Sequence, residues 1–158
     1  MTAAAPSLTL TVTKTDDTND GVCDADCSLR EAIAVANTEA SDDTIEFAAA
    51  VFNAPRTITL GGSELIVVRR GALSINGPGA GLLTVSGGGA SRVFYIGQNA
   101  RVTISGIRIS GGNGLGSVEN GNGGGLLNDF ATLNLINVVV SGNAVNTNVG
   151  DFAGGIYN

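Results

Sequence analysis

Two cysteines stand four residues apart in the stretch CDADCSLREAI, residues 23–33, at the point where a helix is predicted to begin. A thiol redox pair normally has the spacing C-x-x-C, and a zinc site needs further cysteine or histidine ligands. The chain contains no other cysteine and no histidine, so Cys23 and Cys27 cannot complete such a site. The spacing therefore favours a structural role over redox or zinc chemistry.

The acidic stretch DDTNDGVCDAD, residues 16–26, begins like an EF-hand calcium loop. Cys27 occupies the twelfth position, where such a loop needs a bidentate glutamate, and no helix precedes the stretch. Two alternatives stay open. One is a calcium site with oxygen ligands in a looser arrangement than an EF-hand, and the other is a solvated acidic turn whose carboxylates stabilise the helix N-terminus. The candidate calcium ligands are Asp16, Asp20, Asp24 and Asp26.

Acidic residues are scarce in the second half of the chain. Glycoside hydrolysis requires two carboxylates roughly 5–10 Å apart, and no aspartate or glutamate occurs between residues 65 and 118. The next acids, Glu119, Asp129 and Asp151, do not align with one another in the repeat described below. The sequence therefore assigns no catalytic residue, and a polysaccharide lyase or hydrolase is kept as an alternative function.

The same acid-free window is rich in arginine. If stacking gathers these side chains on one face, they form a basic stripe for a polyanion or an acidic glycan; otherwise they are outward residues that keep strands soluble. The net charge of −6 leaves no dominant basic field, so nucleic acid is not predicted as a partner. The candidates are Arg69, Arg70, Arg92, Arg101 and Arg108.

Short strands recur in the second half of the chain with a period of about 30 residues. LSI (73–75) returns as VTI (102–104) and LNL (133–135), and IRISG (107–111) returns as VVVSG (138–142). A third strand type is aligned on Ile66, Tyr95, Leu126 and Ile156. Three strands per period predict an all-β fold, a right-handed parallel β-helix, over an antiparallel sandwich.

Alternation of side chains along these strands predicts which of them form the core. Side chains at 102, 104, 107 and 109 are expected to point inward, and those at 101, 103 and 108 outward. Asparagines follow matching strands, and we expect them to stack as hydrogen-bonded ladders. The pairs are Asn113 with Asn143 and Asn128 with Asn158. The loop 111–125 is the longest interruption of the repeat; it predicts a flexible bulge or a binding insertion at a coil corner.

The two ends of the repeat differ. Ser28 and Glu31 form a capping box, which predicts a helix that starts at Ser28 and covers the first coil. Its apolar face consists of Leu29, Ala32, Ile33 and Ala36. The last residues, GGIYN, match GGLLN of the previous coil, so the sequence stops partway through a coil. This predicts either a fragment of a longer solenoid or self-association through an uncapped C-terminal coil.

The stretch TDDTNDGVCDADCSLREAIAVAN, residues 15–37, resembles the signature of the CSLREA domain. Downstream, GGGLLN and LNLINVVVSGN resemble the parallel β-helix repeats of pectate-lyase-like and polymorphic outer-membrane proteins. The resemblance implies a bacterial protein that is secreted or held at the cell surface, and it implies no established reaction. Such proteins usually carry many more coils and often a C-terminal anchor.

An exported protein permits a disulfide, and we predict one between Cys23 and Cys27. The predicted organisation is one continuous unit with a cap region at 1–56 and β-helix coils at 57–158. The predicted function is a structural or adhesive module that presents its faces to a glycan or a surface protein. No run of residues is long and apolar enough to predict a membrane span. The sequence predicts either no cofactor or calcium.

Overall fold

Short strands and tight turns make up most of this chain. The computed structural model describes residues 6–38, 40–68, 71–145 and 152–158. It contains two helices, α1 (Leu29–Thr38) and α2 (Ala49–Phe52). The strands are β1 (Thr9–Val12), β2 (Asp43–Phe47), β3 (Arg56–Thr59), β4 (Leu65–Val67), β5 (Ala72–Asn76), β6 (Leu83–Ser86), β7 (Phe94–Ile96), β8 (Arg101–Ser105), β9 (Arg108–Ser110), β10 (Leu126–Asn128), β11 (Thr132–Ile136), β12 (Val139–Val140) and β13 (Ile156–Tyr157).

These strands form three parallel sheets. The first sheet has the order β1-β2-β5-β8-β11, the second β12-β9-β6-β3 and the third β13-β10-β7-β4. Most strands pair with the strand of the same sheet about 30 residues away, as Ile45 pairs with Ile75, and the separations range from 24 to 35 residues. Four coils of three strands result, so the predicted parallel β-helix is confirmed and the antiparallel sandwich is excluded. The first coil starts at β2, N-terminal to residue 57, and the cap and coils share one sheet.

Rows of aliphatic side chains fill the interior of the solenoid. Ile45, Ile75 and Ile104 stack in register along the first sheet, and each is fully buried. Ile107 and Ile109 are also fully buried, as the alternation predicted. Burying an isoleucine side chain contributes about 1.5–3 kcal/mol, so these rows drive the stacking of the coils. The inward side chains of the last coil, such as Leu133 and Leu135, are half-buried.

The third sheet differs from the predicted alignment by one residue. Tyr95 pairs with Leu127, and Leu126 pairs with Phe94, so the alignment of Tyr95 with Leu126 was wrong. Phe94 and Leu126 point inward and are fully buried, whereas Tyr95 lies on the other face of its strand. Since side chains alternate, a slip of one residue would turn the inward set outward. The long loop 111–125 changes the length of the coil. A comparison of strands by a fixed shift therefore did not show which residues of this sheet face inward.

Helix α1 begins after Ser28, as predicted. The Ser28 hydroxyl accepts a hydrogen bond from the Glu31 backbone N–H at 3.0 Å, and the Glu31 carboxylate accepts one from the Ser28 N–H at 2.6 Å. The predicted apolar face of the helix, including Leu29 and Ile33, joins the core. The capping box and the cap are confirmed.

The helix also satisfies the free edge of strand β4. The amide of Asn37 donates to the carbonyl oxygen of Ile66 at 2.8 Å and accepts from the N–H of Val68 at 3.0 Å. It therefore makes the bonds that a neighbouring strand would make, which protects an edge that would otherwise pair with other chains. The sequence did not single out this residue.

One of the two predicted asparagine ladders forms. The Asn128 amide donates to the Asn158 side-chain oxygen at 2.5 Å. The side chains of Asn113 and Asn143 bind main-chain groups instead: Asn113 donates to Gly89, and Asn143 donates to Ile109. Within the described residues, no helix is both long and apolar enough to cross a membrane.

Candidate functional site

A disulfide joins Cys23 and Cys27, whose Cα atoms are 4.5 Å apart. Cys27 is buried against the core, and its carbonyl oxygen accepts a hydrogen bond from the N–H of Thr13 at 2.9 Å. The bond therefore fixes the turn between β1 and α1. This confirms the predicted pairing and its role beside the helix start.

The structure does not gather the four candidate calcium ligands. Asp26 pairs with Lys14 at 3.0 Å, and this hydrogen bond holds the pKa of the Asp26 carboxyl below its ordinary value. Asp20 and Asp24 each accept from a backbone N–H two residues further along, which is the pattern of a local turn. Within the described part of the chain, no group of three or more Cys, His, Asp or Glu residues is placed to hold a metal ion.

Glu31 is the most enclosed carboxylate of the cap. Besides the Ser28 N–H, it accepts hydrogen bonds from the Thr18 hydroxyl and the Asp20 N–H, both at 3.2 Å. Burial by itself would raise the pKa of Glu31, but the hydrogen bonds from Ser28, Asp20 and Thr18 outweigh it and hold the pKa below its ordinary value. The ionised carboxylate thus organises the acidic loop around the helix start.

We expect acid to weaken the cap through Glu31. Because the folded-state pKa of Glu31 lies below its ordinary value of 4.5, its stabilising effect is complete above that pH and is lost as the pH falls through the folded-state pKa. Glu31→Gln should lower the free energy of unfolding at neutral pH by about 1–2 kcal/mol. It should also flatten the decline in stability below about pH 5.

Urea unfolding at a series of pH values measures both effects. The matched control is Glu46→Gln, which removes an exposed carboxylate of β2. A pH profile that is the same in Glu31→Gln and in the unmodified protein would contradict this role for Glu31.

A bidentate ion pair connects the cap to the first coil. The Arg30 guanidinium donates to both carboxylate oxygens of Asp17 at 2.8 Å. It also donates to the carbonyl oxygens of Ser63 at 2.7 Å and Glu64 at 3.0 Å. Asp17 in turn accepts from the N–H of Gly61 at 2.8 Å. The turn before β4 is therefore held by two side chains of the cap region.

A second ion pair, between Glu64 and Arg92, is almost completely buried. The guanidinium of Arg92 donates to the carboxylate of Glu64 at 2.5 Å, and the side chains are 0% and 2% exposed. Glu64 also accepts from the backbone N–H and the hydroxyl of Ser117, at 2.7 and 2.8 Å. Charged side chains are rarely this buried unless they are paired. No pattern in the sequence predicted this pair.

Arg92 also holds the glycine-rich loop 111–125. Its guanidinium donates to backbone carbonyl oxygens of the loop; the acceptors are Gly114, Val118, Glu119, Asn122 and Gly123. Gly116 approaches the guanidinium so closely that a Cβ atom at this position would collide with it. The loop is thus folded around a buried cation, which corrects its prediction as a flexible bulge.

A groove lies between the cap helix, the turn before β4 and this loop. Its larger part is a cavity of about 530 Å³, and a smaller cavity of about 190 Å³ shares Arg30, Glu64 and Ile66 with it. Residues from three successive coils contribute to the larger part. They include Ser63, Glu64, Ala90, Leu115, Ser117 and Asn120.

The candidate arginines do not form one basic stripe. Arg92 points into the structure and is fully buried, so its prediction as an outward contact is wrong. Arg101 is exposed at the start of β8 in the first sheet, and Arg108 lies half-buried on β9 in the second sheet, where it donates to Ser141 at 2.9 Å. Arg69 and Arg70 lie outside the described residues.

The described acids among the catalytic candidates are engaged in hydrogen bonds. Asp129 accepts a hydrogen bond from the hydroxyl of Tyr95 at 2.8 Å. Burial, together with this contact to Asp129, raises the pKa of Tyr95 to about 12. Glu119 accepts from the side-chain amide of Asn122 at 3.0 Å. Glu119 and Asp129 line one further cavity, of about 410 Å³, and Asp151 lies outside the described residues.

Comparison of the chain with protein-family models, with curated proteins and with solved structures finds no match. The resemblance to the CSLREA domain and to pectate-lyase-like repeats therefore stays a prediction. The fold and the groove are the observations on which a function can be argued.

Proposed function

We propose that the chain is an exported β-helix module with an adhesive, structural role, and that its groove binds an extended glycan. The proposal rests on the observation that residues of successive coils together line the groove. Parallel strands of neighbouring coils lie about 4.8 Å apart, so a groove that crosses several coils runs along the solenoid axis. A linear polymer fits such a shape better than a compact small molecule does.

The chemistry of the groove suits a carbohydrate. Ser63, Ser117 and Asn120 bring hydroxyl and amide groups, which bind sugar hydroxyls through hydrogen bonds. Ile66 and Leu115 are each a little over one third exposed and give the groove an apolar side. Polar and apolar contacts together match the hydroxyl edges and the C–H faces of sugar rings.

The groove walls are held rigidly before any ligand arrives. Arg30 is fixed by Asp17, and Glu64 is fixed by Arg92 and Ser117. A preorganised site loses less conformational entropy on binding than a flexible one does. This supports a role in presenting a binding surface. The scaffold fixes the positions of the surface residues, and these residues make the contacts with the glycan.

The disulfide supports export. Disulfides persist in secreted proteins and at cell surfaces and are rare in reducing compartments. Both cysteines of the chain are consumed in the pair Cys23–Cys27, next to the helix that closes the first coil. A module that relies on such a bond at its cap is suited to an oxidising environment outside the cell.

A glycan array, followed by titration of each hit, tests the proposal. Ser63→Trp should abolish binding because the indole ring fills the groove from its exposed rim. Thr132→Trp is the matched control, since it adds the same ring to an exposed position of β11 in the first sheet. Binding that survives Ser63→Trp would refute the groove as the site. Release of shortened oligosaccharides would refute a purely adhesive role.

A further inference from the structure

The groove contains two charged side chains, Arg30 and Glu64, and both line its larger and its smaller cavity. They are the only charged side chains among the described residues that line either cavity. The polar residues that accompany them in the larger cavity, Ser63, Ser117 and Asn120, are uncharged. The charge that a glycan meets in the groove therefore depends on how Arg30 and Glu64 are paired.

Arg30 is neutralised by Asp17, a residue outside the groove lining. Two guanidinium nitrogens of Arg30 donate to the two carboxylate oxygens of Asp17, both at 2.8 Å. The side chain of Asp17 is 6% exposed, and Asp17 is not among the described residues that line the cavities. Bidentate arginine–carboxylate contacts are among the strong charge-assisted hydrogen bonds of proteins. The guanidinium therefore presents little uncompensated positive charge to a ligand.

Glu64 is also neutralised by a residue that is not among the described lining residues. One carboxylate oxygen accepts from the guanidinium of Arg92, which is fully buried. The other oxygen accepts from the backbone N–H and the hydroxyl of Ser117. Both oxygens are engaged without a ligand, so Glu64 offers no unpaired negative charge to the groove.

The groups that remain available to a ligand are uncharged. In the described hydrogen bonds, Ser63 uses only its carbonyl oxygen and Asn120 only its side-chain oxygen. This leaves the Ser63 hydroxyl and the Asn120 amide nitrogen for a ligand. The Ser117 hydroxyl donates to Glu64 and can still accept a hydrogen bond. Such groups bind sugar hydroxyls and do not compensate a charge.

We propose that the groove selects neutral glycans over charged ones and that Asp17 sets this preference through Arg30. The inference rests on the proposed function of the groove and names the class of glycan. A uronic acid brings a carboxylate and an amino sugar brings an ammonium group; each would lose hydration in a groove whose own charges are already paired. A neutral sugar exchanges hydrogen bonds with water for hydrogen bonds with Ser63 and Asn120. Asp17 is a positioning residue because it contacts Arg30 and not the ligand.

Calorimetric titration with matched tetrasaccharides tests the proposal in mildly acidic buffer, where carboxylates and amines are both charged. The neutral probes are 1,4-linked tetramers of glucose, galactose and mannose, and the acidic probes are the uronic acid tetramers of the same linkage, which differ only at C6. The tightest neutral tetramer should bind at least about tenfold more tightly than its uronic acid counterpart. A 1,4-linked glucosamine tetramer should also bind more weakly than that neutral tetramer. The neutral affinity should not change with salt concentration, because no charge is neutralised on binding.

Asp17→Asn should create affinity for the acidic tetramer. It leaves the charge of Arg30 without a carboxylate, so uronate binding should strengthen by about tenfold and should weaken again at high salt. Asp16→Asn is the matched control, since it removes the exposed neighbouring carboxylate and changes the net charge equally. This control should keep the preference for the neutral tetramer. Adding Arg30→Met to Asp17→Asn should abolish the gain in uronate binding.

The outcomes distinguish failure of the neutral preference from failure of the groove. A charged tetramer that binds as tightly as the neutral one, and loses its binding in Ser63→Trp, would overturn the preference and leave the groove as a glycan site. Binding of no tetramer, or binding that survives Ser63→Trp, would overturn both. Equal uronate affinity in Asp17→Asn and Asp16→Asn would overturn the role of Asp17. The comparison of tetramers in the unmodified protein tests the preference even if Asp17→Asn folds poorly.

Discussion

Replacing Arg92 with methionine should lower the free energy of unfolding by about 3–5 kcal/mol, the usual cost of removing one partner of a buried ion pair. Methionine fills much of the same volume but supplies no charge and no donors. The carboxylate of Glu64, which is 3% exposed, would keep only its bonds from Ser117. The loop carbonyls that now accept from Arg92 would lose their donor.

This variant should also loosen the glycine-rich loop while the coils persist. Hydrogen exchange of the amides in 113–123 should accelerate more than exchange in β8. Urea unfolding measures the loss of stability, and Glu64→Gln in the same chain should recover part of it because the unpaired charge is removed. A double-mutant cycle then gives the coupling between the two residues.

Arg108→Met is the matched control. Arg108 is half-exposed and bonds only to Ser141 in the described contacts, so its loss should cost less than about 1 kcal/mol. If Arg92→Met lowered the free energy of unfolding as little as Arg108→Met, Arg92 would not be holding the loop. The position of the groove wall would then need another explanation.

Replacing Ile75 with alanine should cost about 2–5 kcal/mol. Ile75 is fully buried in the middle of the first sheet, directly between Ile45 and Ile104. The β5 backbone is bonded to β2 on one side and β8 on the other, so the strand cannot move inward to fill the void. The cost should therefore fall in the upper part of that range.

Ser74→Ala is the control for this site, because Ser74 is the neighbour that points outward from the same strand. It should change the free energy of unfolding by less than about 0.5 kcal/mol. Thermal and urea unfolding of both variants measure the difference. Equal effects of Ile75→Ala and Ser74→Ala would mean that the isoleucine row does not carry the stacking of the coils.

The repeat and the cap could be derived from sequence because both rest on local patterns. Alternation along a strand and a shared shift of about 30 residues identify which side chains stack, as Leu73 stacks on Val102. The capping box needs only four consecutive residues, Ser28 to Glu31, and it forms as expected.

The register of Tyr95 could not be derived in this way. The loop 111–125 varies the coil length, and only the buried rows of Phe94 and Leu126 decide which face is inward. Asn37 was missed for a related reason, since its two bonds reach β4 about 30 residues further along the chain.

By itself, the sequence determined a parallel solenoid of about 30 residues per coil and a helix at its start, because periodicity and the capping box encode them. The disulfide beside that helix was predicted from the exported setting that the resemblance implies. Only the tertiary structure determined where the charged residues lie and which groups they contact. It buried Arg92 against Glu64 and placed Glu119, Asp129 and Phe130 at one cavity. Glu64 and Arg92 lie 28 residues apart in the chain, and side-chain contacts across coils depend on loop paths that no local pattern specifies.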